Sequence, residues 1–150
     1  MKLKEIEKAI LIWGPISNQG LSYLKEQKEL VIIAENRPYM IGLKYNKPFL
    51  EKEGIKFVYC TDNMLGILFY KKKIKEAILF YEKKEEGKIL AITGSLYFYL
   101  LAKLHNVAIK FFLQEKINFL DSDASTINGL VFISDKEKVM RPEKEWIELQ

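Results

Sequence analysis

Two short polar segments, each directly after an apolar run, contain the residues of this sequence best suited to chemistry. Residues 35–38 (ENRP) follow the run LVIIA, and residues 61–63 (TDN) follow KFVYC. In a parallel sheet, the loops beyond the carboxyl ends of the strands carry the ligand-binding groups. Arg37 offers a guanidinium fork for a phosphate, and Asp62 offers a carboxyl group for acid–base chemistry. The pattern predicts a small-molecule site at one sheet edge.

Further candidates lie at the ends of other apolar runs. Asn18, Gln19 and Gly20 open a predicted helix, so their backbone N–H groups are donors for an anion. Gly94 and Ser95 open a second helix and offer the same kind of donors. Glu82 follows the run AILFY. Like Asp62, it is a weak acid–base candidate.

Each candidate also fits a purely structural role, and the sequence leaves both interpretations open. Glu35 with Arg37 can be a structural ion pair, and Thr61 or Asp62 can be the N-cap of the following helix. Cys60 fits a small buried apolar residue. The loop GPISNQG is not GxGxxG, and no His, Cys or acidic cluster has metal-ligand spacing, so we predict neither a cofactor nor a metal.

Strand-like and helix-like segments alternate along most of the chain. The segment at 95–105 is apolar almost all round, which predicts burial, and Pro48 must interrupt the helix at 39–52. Alternation with short connections predicts an α/β fold, a doubly wound, mainly parallel, Rossmann-like sheet with helices on both faces. The predicted strands are 9–13, 30–34, 56–60, 77–81, 107–113 and 130–134, and the predicted helices are 18–29, 39–52, 63–73 and 95–105.

The last third of the sequence lacks this regular alternation. Residues 114–129 have no clear hydrophobic period, which predicts a loop or a segment covered by a partner. Trp146, Ile147 and Leu149 are large apolar residues near the C-terminus, and we expect them to dock on the domain or on a neighbouring subunit. No linker or repeat divides residues 1–150, which predicts one domain.

Composition and charge exclude several classes of protein. The net charge of +4 comes mainly from lysines interspersed with glutamates, and only two residues are arginine, which argues against nucleic-acid readout. No apolar stretch reaches the ~18 residues needed to span a membrane. The single cysteine predicts a reducing cytoplasm. The Lys/Glu bias fits a thermophile or an AT-rich genome.

Three segments in order resemble one protein family. The chain has E-x-R-P-x-x-x-G at 35–42, a strand ending in T-D-N-M at 61–64, and GKILAITGSLYFYLLAKLHNV at 87–107. Together they resemble the translation initiation factor 2B α/β/δ superfamily, which includes methylthioribose-1-phosphate and ribose-1,5-bisphosphate isomerases. The resemblance covers about residues 8 to 114. It implies the Rossmann-like C-terminal domain of the family, without its helical N-terminal domain.

Departures from the family pattern shape the functional prediction. The isomerases use a cysteine in the first loop, which GPISNQG lacks, and an aspartate after the fourth strand, where this chain has Tyr81 or, with a one-residue gap, Glu82. Their Asn-Lys pair is Ala91-Ile92, and their C-terminal N-P-x-F-D/E motif is at best vestigial in residues 141–146. These losses indicate a non-catalytic member of the superfamily.

The resemblance also implies a mode of action. Relatives dimerise through this domain, so we expect a homodimer or a heteromer with a related subunit. We also expect this chain to bind a phosphorylated sugar or nucleotide. The alternative is a sugar-phosphate isomerase or a sensor of a phosphorylated metabolite. In that case Arg37 would hold the phosphate, and Asp62 or Glu82 would be the acid or base.

Overall fold

The centre of the molecule is a parallel sheet of five strands in the order β3-β2-β1-β4-β7. All four pairings in this sheet are parallel, so the chain winds outward from β1 in both directions, as the predicted doubly wound topology requires. The computed structural model describes residues 1–117, 126–127, 130–131, 140 and 142–150. The strands are β1 (Ala9–Trp13), β2 (Val31–Ala34), β3 (Phe57–Cys60), β4 (Ile74–Tyr81) and β7 (Ile109–Leu113).

Helices cover both faces of this sheet because successive strand residues point to opposite sides. Leu11 packs in the cluster that contains the apolar side chains of α3 and α4. Its neighbours Ile10 and Ile12 pack in the cluster that contains those of α1 and α2. The helices are α1 (Asn18–Gln27), α2 (Lys47–Lys52), α3 (Leu65–Tyr70) and α4 (Ser95–Leu104).

A second, antiparallel sheet has the order β10-β6-β5, and the sequence did not predict it. It consists of β5 (Lys83–Glu85), β6 (Lys88–Ala91) and β10 (Glu145–Glu148). β5 is fully exposed and charged, so it has no apolar alternation that would mark a strand. Ile147 of β10 is buried and Leu149 is partly buried against the core, so these two residues dock on the domain as expected, whereas Trp146 is 43% exposed.

Several boundaries differ from the predicted ones. The helical run at 41–52 is not a regular α-helix: a π-helical turn at Gly42–Asn46 directly precedes α2, and Pro48 lies in the first turn of α2. Regular α-helix is thus interrupted before Pro48, as expected. α3 ends at Tyr70, three residues before the predicted end at 73, so the lysines from Lys71 onward follow the helix.

The predicted segments 114–129 and 130–134 lie largely outside the described residues. Two short strands are described there, β8 (Thr126–Ile127) and β9 (Leu130–Val131), which pair antiparallel. Within the described part of the chain, no helix combines the length and apolar character required for a membrane crossing.

The all-round apolar segment at 95–105 is only half buried. Phe98 and Ala102 of α4 lie in the core, and the Phe98 ring packs against Trp13 with centroids 5.9 Å apart. Leu100 and Leu104, however, are 54% and 74% exposed. The prediction that the whole helix is buried is therefore wrong, because nothing in the described residues covers its outer side.

Candidate functional site

The two polar segments singled out by the sequence meet at the carboxyl edge of the parallel sheet. Asp62, after β3, accepts a hydrogen bond from the backbone N–H of Asn36 (2.9 Å) and another from that of Arg37 (2.7 Å). Asp62 therefore joins the loop after β3 to the loop after β2. It does not cap a helix, and the Thr61 side chain caps none either, since its hydroxyl donates to Asn63 Oδ1.

Glu35 and Arg37 form an ion pair within the loop after β2. Arg37 Nε donates to Glu35 Oε1 over 2.7 Å, and the same oxygen accepts the backbone N–H of Asp62 at 3.3 Å. The Glu35 side chain is 7% exposed, whereas the Arg37 side chain is 46% exposed. The pair orders the loop while it leaves part of the guanidinium group open to solvent. The Arg37–Pro38 peptide bond is cis.

The protonation of Asp62 depends on two opposing effects. Burial raises the pKa of the Asp62 carboxyl group, and the nearby Glu35 charge acts in the same direction. The backbone N–H groups of Arg37 and Asn36 and the Arg37 charge lower it, but the pKa remains above its ordinary value. The Asp62 carboxylate is therefore protonated more readily than an ordinary aspartate, and two backbone N–H groups fix its position.

The loop after β1 is fixed by two buried asparagines. Asn36 Oδ1 accepts the N–H of Gly14 at 3.2 Å. Asn46 accepts the N–H of Ile16 at 3.1 Å and donates to the carbonyl of Gly14 at 2.9 Å. Gly14 has φ +95°, and a Cβ there would lie 2.8 Å from the Phe80 carbonyl oxygen. The amide groups of Asn36 and Asn46 therefore fix the conformation of this loop.

The start of α1 offers less to an anion than the sequence suggested. Gly20 N–H donates to the Ser17 hydroxyl at 3.5 Å. A Cβ on Gly20 would lie 2.3 Å from the Phe80 ring, so this glycine allows α1 to pack on β4. Asn18 and Gln19 are exposed at the first turn.

The start of α4 is occupied by a carboxylate of the chain itself. Glu145 Oε2 accepts the N–H of Gly94 at 3.1 Å, and Oε1 accepts the N–H of Leu96 at 2.9 Å. The Ser95 side chain is fully buried. The two N–H groups that would bind an anion at this helix are therefore already paired with Glu145, a residue of β10.

A cavity of about 670 Å³ lies between the loop after β2 and the C-terminal segment. Arg37 lines one side of it, and Lys144 with Glu145 lines the other. Glu82, a weak acid–base candidate, forms an ion pair with Lys144, whose Nζ donates to Glu82 Oε1 at 2.7 Å. Arg37 is the one predicted ligand residue that faces this cavity. No group of three His, Cys, Asp or Glu residues within the described ranges could hold a metal.

Comparisons with known proteins place this arrangement among solved structures. No family model and no curated protein matches the sequence. The delta subunit of translation initiation factor eIF-2B from A. fulgidus superposes with a TM-score of 0.71 at 18% identity. A 5-methylthioribose 1-phosphate isomerase from Pyrococcus horikoshii OT3 gives 0.70 at 15%. This chain has the initiation factor 2B-like fold.

The similarity extends over nearly all of this chain but over about half of each matched protein. It covers 95% of this chain and 50% of the delta subunit, and 94% of this chain and 46% of the isomerase. The translation initiation factor eIF-2B of Pyrococcus horikoshii OT3 matches with a TM-score of 0.56 at 22% identity, over 75% of this chain and 45% of that one. Identities this low establish the fold alone.

Residues at which the sequence departs from the family pattern have structural roles. Ala91 and Ile92, in place of the Asn-Lys pair, are 1% and 3% exposed and belong to the core. Tyr81 packs against the same core. His105 forms the C-cap of α4 and stacks on Phe69.

Cys60 lies at the end of β3 in an environment that suppresses its reactivity. Burial, and then the charges of Asp62 and Glu35, raise the pKa of the thiol to about 12. The residue lines a mainly apolar cavity of about 520 Å³ beside β3. This agrees with its interpretation as a small apolar residue.

Sequence reasoning missed two residues that organise the edge, Asn46 and Glu145. Nothing local marks Asn46, because its partners are 30 and 32 residues away. Glu145 did carry a signal, since it stands at the acidic position of the C-terminal motif that was regarded as vestigial. The contact with α4 gives that position a function in the fold.

Proposed function

We propose that this chain is a non-catalytic relative of the initiation factor 2B-like proteins, which acts in the cytoplasm through subunit association. The observation that supports it is that four acidic residues at the carboxyl edge, which include both acid–base candidates, have structural partners. Asp62 and Glu145 bind backbone N–H groups, Glu35 pairs with Arg37, and Glu82 pairs with Lys144.

The chemistry of sugar-phosphate isomerisation makes these partners significant. Moving a proton between two carbons requires an acid and a base that are free to reach the substrate. Loss of one such group typically lowers the rate by about 10² to 10⁴. Asp62 is turned toward the backbone and Glu82 toward a lysine, so neither acid–base candidate is free, and the first loop has no cysteine.

Association is the activity that remains for such a scaffold. One of the structures with this fold is described as a subunit, the delta subunit of a translation initiation factor. By analogy with that protein, we infer that this chain pairs with a second copy or with a related subunit. The analogy is at the level of the fold, and the test must therefore come from the protein itself.

Light scattering coupled to size-exclusion chromatography tests this function. We expect a particle of at least twice the 17.6 kDa chain mass, or a complex with a related subunit when both are present. In parallel, ribose 1-phosphate should show no turnover above buffer. A strict monomer that binds no related subunit would contradict the proposal, as would turnover that Asp62→Asn abolishes.

A second candidate function, binding of a phosphorylated small molecule, is favoured by Arg37. Its guanidinium group is half exposed and lines the 670 Å³ cavity. Calorimetry with ribose 1-phosphate would detect such binding. Arg37→Lys keeps a cation beside Glu35 but removes the planar fork, so it should weaken binding at least tenfold. Lys52→Gln, on the outer side of α2, is the control that should bind normally.

A further inference from the structure

Strand β3 is an edge of the parallel sheet, and only β2 pairs with it in the described part of the chain. The carbonyl groups of Lys56 and Cys60 each accept a backbone N–H, from β2 and from the residue after it, at 3.2 Å. Backbone groups of successive strand residues point to opposite sides, so those of Phe57 and Tyr59 point away from the sheet. No hydrogen bond between described residues involves the backbone groups of Phe57 or Tyr59.

The cavity of about 520 Å³ follows this open side of β3, and we call it the β3 groove. One wall comes from the N-terminal segment and α3, and it is apolar, with Leu3, Met64 and Leu68. The other wall comes from α2 and contains Lys47 and Glu51. The two walls lie on opposite faces of the sheet, because α3 belongs to one core cluster and α2 to the other. The unpaired edge of β3 therefore lies between an apolar wall and a charged wall.

β3 lacks the charges that the other edge strands of the two larger sheets carry. β7 contains Lys110, β10 contains two glutamates, and all three residues of β5 are charged. Residues 57–60 (FVYC) contain neither a charged residue nor a proline. Charges and prolines on an edge strand prevent it from pairing with another chain. An edge without them is a template for one further strand.

We propose that the β3 groove binds an extended peptide segment of another protein, which joins the sheet as a further strand beside β3. In this mode of recognition, main-chain hydrogen bonds supply affinity and alternate side chains supply specificity. The outward N–H and C=O groups of Phe57 and Tyr59 are the main-chain partners. The volume of the groove lies within the range of about 300–1,000 Å³ that is usual for ligand sites.

The two walls determine the pattern of the peptide. Successive side chains of a strand point to opposite faces, so every second residue would meet the apolar wall and the others would meet the α2 wall. Residues 44–56, which include α2, contain four lysines and two glutamates. Both glutamates are already paired, Glu51 with Lys47 and Glu53 with Lys25. The excess of positive charge favours a segment in which apolar and acidic residues alternate.

Amide hydrogen exchange followed by NMR tests strand addition on the unmodified chain. The probe is a synthetic peptide of about eight residues in which valine and glutamate alternate, long enough to span β3. At saturation, the N–H groups of Phe57 and Tyr59 should exchange at least about tenfold more slowly, because peptide carbonyls accept them. Ile109 and Phe111 of β7, at the other edge of the sheet, are the internal control and should exchange as before.

Peptides of equal length separate strand addition from attraction between charges. A block peptide, with all its valines before all its glutamates, cannot match both walls. It should bind at least about tenfold more weakly in fluorescence anisotropy. Lys47→Glu should reverse the preference, toward a peptide in which valine and lysine alternate. Equal binding of the alternating and block peptides would overturn the proposal.

A proline on each edge of the sheet tests the site on the protein. Tyr59→Pro removes an N–H that points away from β2, so the pairing with β2 keeps its hydrogen bonds. The affinity for the alternating peptide should fall at least about tenfold. Leu113→Pro is the matched control at the end of β7. Gln114 N–H donates to β4, so that of Leu113 points away from it, and affinity should stay within about twofold.

Two further results would overturn the proposal. One is unchanged exchange at Phe57 and Tyr59 with peptide present, and the other is an equal loss of affinity in Tyr59→Pro and Leu113→Pro. If exchange at Phe57 and Tyr59 instead slows as the concentration of the chain alone rises, a second copy covers β3 and the proposal is wrong. Particle mass from light scattering reports subunit association separately, so a failure of peptide binding leaves the proposed function standing.

Discussion

The carboxyl edge of the sheet and the outer side of helices α3 and α4, called the α3/α4 face, differ in what the single chain leaves unsatisfied. The exposed apolar side chains of this face are Ile67, Tyr70, Leu96, Tyr97, Leu100 and Leu104. At the edge, Asp62, Glu35 and Glu145 have the residue types of an active site, yet each is paired within the chain. On the face, Leu100 and Leu104 have the residue types of a core, yet each is more than half exposed. Residue type alone would have assigned these two regions the opposite roles.

The comparison shows where binding capacity remains in this fold. Buried polar groups with hydrogen-bond partners have little further capacity for a ligand, because a ligand would have to displace those partners. Covering exposed apolar area, by contrast, stabilises a complex by about 25 cal/mol per Å² before the costs of association are subtracted. The α3/α4 face therefore has more to gain from a partner than the edge does.

Adding one methyl group to a glycine in each region should give the largest contrast. A Cβ on Gly42 would lie 1.7 Å from the Ala34 carbonyl oxygen, which belongs to β2, so Gly42→Ala must move backbone. We expect it to lower the free energy of unfolding by at least about 3 kcal/mol. Urea unfolding followed by circular dichroism measures this loss.

Gly66→Ala is the counterpart on α3, where the nearest atom to a new Cβ is 3.8 Å away. Alanine is the better helix former, so this variant should gain about 0.5–1 kcal/mol. Both variants should be measured at low protein concentration, so that subunit association does not contribute. Equal effects in the two regions would show that the edge tolerates backbone movement and is not a fixed scaffold.

The sequence predicted the parallel sheet because its strands are apolar runs, such as residues 9–13 and 30–34, with polar residues directly after them. It also placed Arg37 and Asp62 together, since parallel strands end at one edge. It could not predict that Glu145 reaches α4, because that contact spans 51 residues and depends on a small antiparallel sheet. Nor could the periodicity of the sequence show that one side of the apolar helix α4 is exposed to solvent.

Removing the Glu145 carboxylate should have a smaller effect than a change at Gly42. Glu145→Ala leaves the N–H groups of Gly94 and Leu96 without their acceptor at the positive end of α4. Loss of such a cap costs about 1–2 kcal/mol. Amide exchange at Gly94 and Leu96 should accelerate along with the loss of stability. Glu148→Ala, an exposed residue of the same strand, should change neither; equal losses in both variants would show that strand β10 matters and the cap does not.

The smallest expected effect is the pH dependence that Asp62 contributes. Its pKa is raised in the folded chain by burial, despite two backbone N–H donors. The folded state therefore binds the Asp62 proton more tightly than the unfolded state, whose pKa is about 3.9. The contribution of Asp62 to the free energy of unfolding is full below that value and is lost as pH rises through the folded pKa.

Urea unfolding of the unmodified chain and of Asp62→Asn, from acidic to neutral pH, isolates this contribution as the difference between them. We expect the advantage of the unmodified chain to be greatest in acid and to decline toward neutral pH, then to stay constant. An advantage that grows with pH would mean that the N–H donors of Asn36 and Arg37 outweigh burial. In that case the carboxyl edge would stabilise the negative charge of Asp62.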